Sequence, residues 1–118
     1  MKLEEVQKIL ETEQAWKVDC GDQEVSSGHA SDLISDMLTC CVPGSLLLTG
    51  LTNAQVIRTA EILDLAAICF VRGKKPQPET IELAKEKGLP LFVTQLLMYE
   101  SCGRLYSKGL VAGAGGGG

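Results

Sequence analysis

A chain of 118 residues with a 45% apolar share has the length of one domain and enough apolar material to bury a core without metal or disulfide support. Its net charge of −4 and pI near 4.9 argue against a nucleic-acid surface, since phosphate backbones want a basic face. No stretch approaches the ~20 apolar residues of a membrane span, and Met1–Leu10 carries Lys2, Glu4, Glu5 and Lys8 in place of a signal peptide's apolar centre, so the chain reads as a cytoplasmic protein that meets neither nucleic acid nor membrane.

In chain order, Leu3, Val6 and Leu10, with Ile9 beside them, form one face of a helix over Lys2–Glu11. Ala15–Cys20 alternates, with Trp16, Val18 and Cys20 on one side and Lys17 and Asp19 on the other, which predicts a half-exposed strand near a sheet edge. Cys20-Gly21-Asp22-Gln23 reads as a tight turn. Glu24–Ala30 reads as a short polar strand or an extended loop. Leu33, Ile34, Met37 and Leu38 make a helical stripe, with Ser31 placed to N-cap it and Asp32 favoured by the helix dipole; Pro43-Gly44 ends this piece.

The most informative stretch is Ser45–Gly73, SLLLTGLTNAQVIRTAEILDLAAICFVRG. Apolar runs at Ser45–Thr49 and Ala66–Val71 show little alternation, as expected of strands covered on both faces. Asn53–Asp64 lies between them, with Val56, Ile57, Ala60 and Leu63 along one side. This is a right-handed βαβ unit. A charged turn at Arg72–Pro76 leads to a helix over Pro78–Lys87, with Pro78 in its first turn, Ile81 and Ala84 inward, and Gly88 just past its end. Leu91–Thr94 is a short buried strand, and Leu96–Lys108 a last helix with Met98, Cys102 and Leu105 on one stripe. Alternating strands and helices predict a three-layer α/β/α domain over residues 1–110 with a mostly parallel sheet of four to five strands. Residues 111–118, almost all glycine and alanine, read as a flexible tail.

In a parallel sheet, ligands bind beyond the carboxyl ends of the strands, at a switch in strand order. Three such exits can be named: Thr49-Gly50-Leu51-Thr52-Asn53, Arg72-Gly73-Lys74-Lys75 and Thr94-Gln95. If their strands are parallel, the three loops share one edge and offer hydroxyls, an amide, close backbone approach at Gly50 and Gly73, and positive charge. Two of them open helices, whose free N–H groups attract anions. The expected ligand-binding set is therefore Thr49, Gly50, Thr52, Asn53, Arg72, Gly73, Lys74, Thr94 and Gln95, with His29, Ser31 and Asp32 as additional contacts. An anionic small molecule or nucleotide is the expected guest. Each piece also has a plainer reading: a helix cap at Thr52 or Asn53, a turn at Gly73, solvated cations at Arg72, Lys74 and Lys75.

No catalytic constellation is visible. There is no GxxxxGK[ST], no GxGxxG after a strand and no GxSxG. His29, the sole histidine, has no companion for metal or nucleophilic chemistry. Asp32 and Asp36, four apart, fall short of a metal site's ligand number. The five cysteines, Cys20, Cys40, Cys41, Cys69 and Cys102, form no CxxC or Cys/His cluster, and read as reduced thiols used as small apolar residues, a redox-sensing thiol being the alternative. The expectation is neither enzyme nor cofactor carrier.

One resemblance adds to this. Gly28-His29-Ala30-Ser31-Asp32-Leu33-Ile34-Ser35-Asp36-Met37 resembles the G-x-x-SDLLSDV segment of stand-alone bacterial DRTGG-domain proteins. Matches continue in order at the strand ending with Thr49, Asp64-Leu65-Ala66-Ala67, Arg72-Gly73-Lys74-Lys75-Pro76, Gly88-Leu89-Pro90-Leu91, and Gly103-Arg104-Leu105-Tyr106 with Gly109-Leu110. Val71-Arg72-Gly73 stands where TGG is usual, and the Asp-Arg pair is absent. The resemblance implies a fold like the N-terminal domain of HPr kinase/phosphorylase, and like the DRTGG domains found beside phosphotransacetylase and inside CBS-domain pyrophosphatases. It implies ligand sensing or homodimer formation beside a separate enzyme or signalling partner, without kinase chemistry, because the P-loop domain is lacking. A pure protein–protein interaction domain is the alternative, and a stand-alone enzyme the third reading.

Overall fold

The computed structural model describes residues 1–113. Five helices surround a five-stranded sheet: α1 Leu3–Leu10, β1 Glu13–Gln14, β2 Gly28–Ala30, α2 Ile34–Cys40, β3 Leu46–Thr49, α3 Gln55–Leu63, β4 Ala67–Phe70, α4 Pro78–Lys87, β5 Leu91–Val93 and α5 Met98–Ser107. The strand order is β1-β5-β4-β3-β2. β2, β3, β4 and β5 run parallel, and β1 closes the far edge antiparallel to β5. The expected three-layer α/β/α architecture is the one observed.

The register explains the layers. Leu46 pairs with Ala67, and Leu48 with Cys69, which in turn faces Phe92. These residues share a cluster with Leu3, Val6 and Leu10 of α1 and Leu105 of α5. The alternate positions, Leu47, Ile68 and Leu91, pack with Met37 of α2, Val56, Ile57 and Ala60 of α3, and Ala84 of α4. The central strands are thus apolar at successive residues because both faces are covered, which is why their runs do not alternate. Burial in this sheet pushes the Cys69 thiol up to about 12, as expected where a thiolate would lose its hydration.

Three local expectations need correction. Ala15–Cys20 is not a strand; the edge strand is the two-residue β1 just before it. Ala15 and Trp16 pack in the α2–α4 layer, Trp16 donating from Nε1 to the Leu89 carbonyl at 2.9 Å, whereas Val18 and Cys20 pack in the α1–α5 layer. The alternation arises because the segment wraps around the sheet edge and feeds both cores. Ser31 does not cap α2: its Oγ accepts from the Leu33 N–H at 3.1 Å in a turn before the helix, which starts at Ile34. On α4, Thr80 and Ala84 are the buried residues and Ile81 is only half-buried; Thr80 turns inward because its hydroxyl donates to the Thr52 carbonyl at 2.7 Å.

Beyond α5, Leu110 is buried, and the Val111 carbonyl accepts from the Gly28 N–H on the outer edge of β2 at 3.0 Å. The tail read over 111–118 thus begins in contact with the sheet, and its residues 114–118 lie outside the described residues.

Candidate functional site: the carboxyl rim of the parallel strands

Because β2 to β5 run parallel, the segments after Ala30, Thr49, Phe70 and Val93 leave by the same rim. Contacts join them into one line. The Asp32 carboxylate, past β2, accepts from the Gly50 N–H past β3 at 2.6 Å. The Arg72 guanidinium, past β4, lies over Gly50: a Cβ built there would stand 3.1 Å from its Nη2. The Val71 N–H donates to the Thr49 carbonyl at 3.0 Å, and the Gly73 N–H to the Thr94 carbonyl at 2.8 Å. The Gln95 amide covers Gly73, where an added Cβ would meet its Oε1 at 2.5 Å. Gly50 lets the Arg72 and Asp32 side chains come close, and Gly73 is favoured by its φ of 66°.

The expected residues divide by what their polar groups are doing. Thr49 and Thr94 are buried in the sheet. Thr49 Oγ1 donates to Asp32 at 3.2 Å and accepts from the Leu51 N–H at 3.1 Å. Thr94 Oγ1 donates to the Leu10 carbonyl at 2.6 Å and accepts from the Leu96 N–H at 3.2 Å. Both hydroxyls are held by hydrogen bonds within the rim. Asn53 Oδ1 accepts from the Gln55 N–H at 3.1 Å, ordering the entry to α3. The Thr52 carbonyl holds α4 through Thr80. His29 lies within β2, in register with Leu47, and is not at the exit. Its Nε2 is buried without a partner among the described residues, and burial lowers its pKa.

Arg72, Lys74, Lys75 and Gln95 remain, all exposed. Arg72, Lys74 and Lys75 make no ion pair among the described residues. Arg72 also holds a left-handed backbone, φ 59°, an uncommon conformation for a side-chain-bearing residue. Asp36, in the first turn of α2, is exposed, and no cluster of three or more metal-ligating side chains occurs among the described residues.

The rim is not organised as a switch in strand order. Passing from β2 to β5 the chain always steps the same way across the sheet, so α2, α3 and α4 all fall on one face. The winding ends at β5, where β1 takes over antiparallel. A cavity of about 200 Å³ forms there, lined by Glu13, Gln14, Lys75, Pro76, Val93 and Gln95 among others. Sequence reasoning missed Glu13 and Gln14 because β1 is too short to leave a pattern, and Pro76 because it reads only as the end of a charged turn. A separate apolar cavity of about 140 Å³ lies between β2 and α5, lined by Gly28, Ala30, Leu48, Cys102, Leu105 and Leu110 among others.

No protein-family model matches the chain, and no curated protein matches it. Among solved structures it is similar to the CBS and DRTGG domains of the regulatory region of Clostridium perfringens pyrophosphatase, complexed with the activator diadenosine tetraphosphate, with a TM-score of 0.68 at 17% identity over 88% of this chain. The chain spans 45% of that structure's length. The likeness shows the fold, in line with the DRTGG-type architecture expected from the ordered motif series.

Proposed function

We propose that this chain is a non-catalytic regulatory domain that binds a small anionic metabolite or nucleotide at the carboxyl rim, and that it acts with a separate enzyme or signalling partner. One observation carries the reading: four parallel exits are tied together by Asp32, Gly50, Arg72, Gly73 and Gln95, and the cations of the rim, Arg72, Lys74 and Lys75, are left without carboxylate partners among the described residues. Cations without carboxylate partners suit phosphoryl oxygens. A similarly folded regulatory region is complexed with a dinucleoside polyphosphate activator, which supports looking first at nucleotides. Calorimetry with a panel of nucleotides and phosphorylated metabolites is the test: at least one should bind, and Arg72→Ala with Lys74→Ala should weaken it at least tenfold. Absence of binding across the panel, or binding indifferent to both substitutions, removes the reading.

A homodimer is the second reading. Leu33 and Leu38 beside or within α2, and Tyr106 and Val111 near the β2 edge, are 60%, 50%, 63% and 45% exposed, and exposed apolar side chains that lie together mark contacts. Light scattering that returns a strict monomer at high concentration excludes it.

A further inference from the structure

We propose that Asp32 is an internal occupant of an oxyanion seat at the end of β3, and that the rim takes a phosphoryl group at this seat only when the carboxylate swings out or is removed. The inference rests on reading the rim as an anion site, and it adds the residue that controls access. The Gly50 N–H, at 2.6 Å, and the Thr49 hydroxyl, at 3.2 Å, both donate to the same oxygen, Oδ1 of Asp32. Arg72 Nη2 and Asp32 Oδ1 lie 3.1 and 3.4 Å from the point where a Cβ on Gly50 would stand. A backbone donor and a hydroxyl therefore address one place, which a carboxylate fills, and the Arg72 cation stands beside Gly50 without pairing with that carboxylate. A phosphoryl oxygen accepts from the same kinds of donor.

The occupant can leave without unravelling its loop. The Ser31 N–H donates to the Leu48 carbonyl at 3.1 Å, and Ser31 Oγ accepts from the Leu33 N–H at 3.1 Å. These bonds fix the backbone on both sides of Asp32 independently of its side chain, which is exposed. Rotation about Cα–Cβ carries the carboxylate into water. While it stays, its charge repels a second anion from the seat. The wild-type rim therefore rejects simple phosphate and admits only a ligand whose further contacts, at Arg72, Lys74 or Gln95, are strong enough to displace Asp32.

The test is titration of inorganic phosphate into the wild-type chain, Asp32→Ala and Asp32→Ser, following the Gly50 amide by NMR. Both variants should bind phosphate at least tenfold more tightly than wild type, with the Gly50 and Leu51 resonances shifting to saturation, and Arg72→Gln added to Asp32→Ala should abolish the gain. Equal affinity in all three chains, or a silent Gly50 amide in a folded variant, overturns the proposal. Loss of the dispersed spectrum in both variants also overturns it, because Asp32 is then a structural clamp. The two readings fail separately: a gain of phosphate binding in Asp32→Ala, with no nucleotide bound by wild type, removes the sensing role and leaves the seat. Nucleotide binding by wild type with no gain in Asp32→Ala does the reverse.

Discussion

Arg72 is where backbone conformation and site are most closely coupled. A left-handed backbone costs a side-chain-bearing residue about 1–2 kcal/mol, and at φ 59° Arg72 carries such a cost. Strain of this kind gathers at functional positions, where the geometry it secures matters more than stability. Arg72→Gly should therefore raise unfolding free energy by up to about 1 kcal/mol, read by denaturant titration, while weakening any anionic ligand. A loss of stability instead would mean that the guanidinium packs as a structural lid on Gly50. His29 makes the opposite kind of prediction. Burial lowers its pKa below the ordinary 6.5, so the unfolded chain binds the proton more readily than the folded one. The stability tied to neutral His29 is complete above about pH 6.5 and is lost as pH falls below it toward the lowered folded value. An NMR titration of the imidazole should give a midpoint under 6.5, and His29→Gln should flatten part of the stability loss below pH 6.5. A midpoint at or above 6.5 contradicts the burial argument.

At the scale of elements, what the sequence makes legible is what burial on both faces writes into it. β3, α3 and β4 stand out because Leu46–Leu48 and Ala67–Phe70 touch helices on either side, and α4 because Pro78 and Gly88 mark its ends. β1 is not legible, and β2 is legible only as one of two readings of Glu24–Ala30: they hold two and three residues at the edges of the sheet, where one neighbouring strand suffices and no apolar run is required. Of the rim, the backbone exits and Arg72 can be read from sequence. The link from Asp32 to Gly50 spans 18 residues and needs the pairing of β2 with β3 to be known. Thr80 was likewise hidden, because a hydroxyl aimed at the Thr52 carbonyl looks like a surface threonine in a sequence. Thr80→Val keeps the shape and removes that bond, so it should destabilise the fold by about 1 kcal/mol and loosen the segment Leu51–Asn53. Unchanged stability, with unchanged amide exchange in that segment, would show that the Thr80 hydroxyl does not position α4.

For the whole molecule, one-directional winding does two things at once. It stacks α2, α3 and α4 on one face, leaving the other to α1 and α5, and it sends four strand ends out of one side. The resulting site is a line of contacts along a rim with its hollow at the β1–β5 end, where the winding stops. A shallow surface with cations and backbone donors suits recognition, with selectivity set by which groups reach Arg72, Lys74 and Gln95. The most direct test is an amide chemical-shift map of the wild-type chain recorded with a nucleotide or phosphorylated metabolite that binds it. Shifts should cluster at Asp32, Gly50–Asn53, Arg72–Lys74 and Gln95, leaving the β2–α5 cavity around Leu105 and Leu110 unmoved. A bound ligand whose shifts centre on that apolar cavity, with the rim amides silent, would contradict the account.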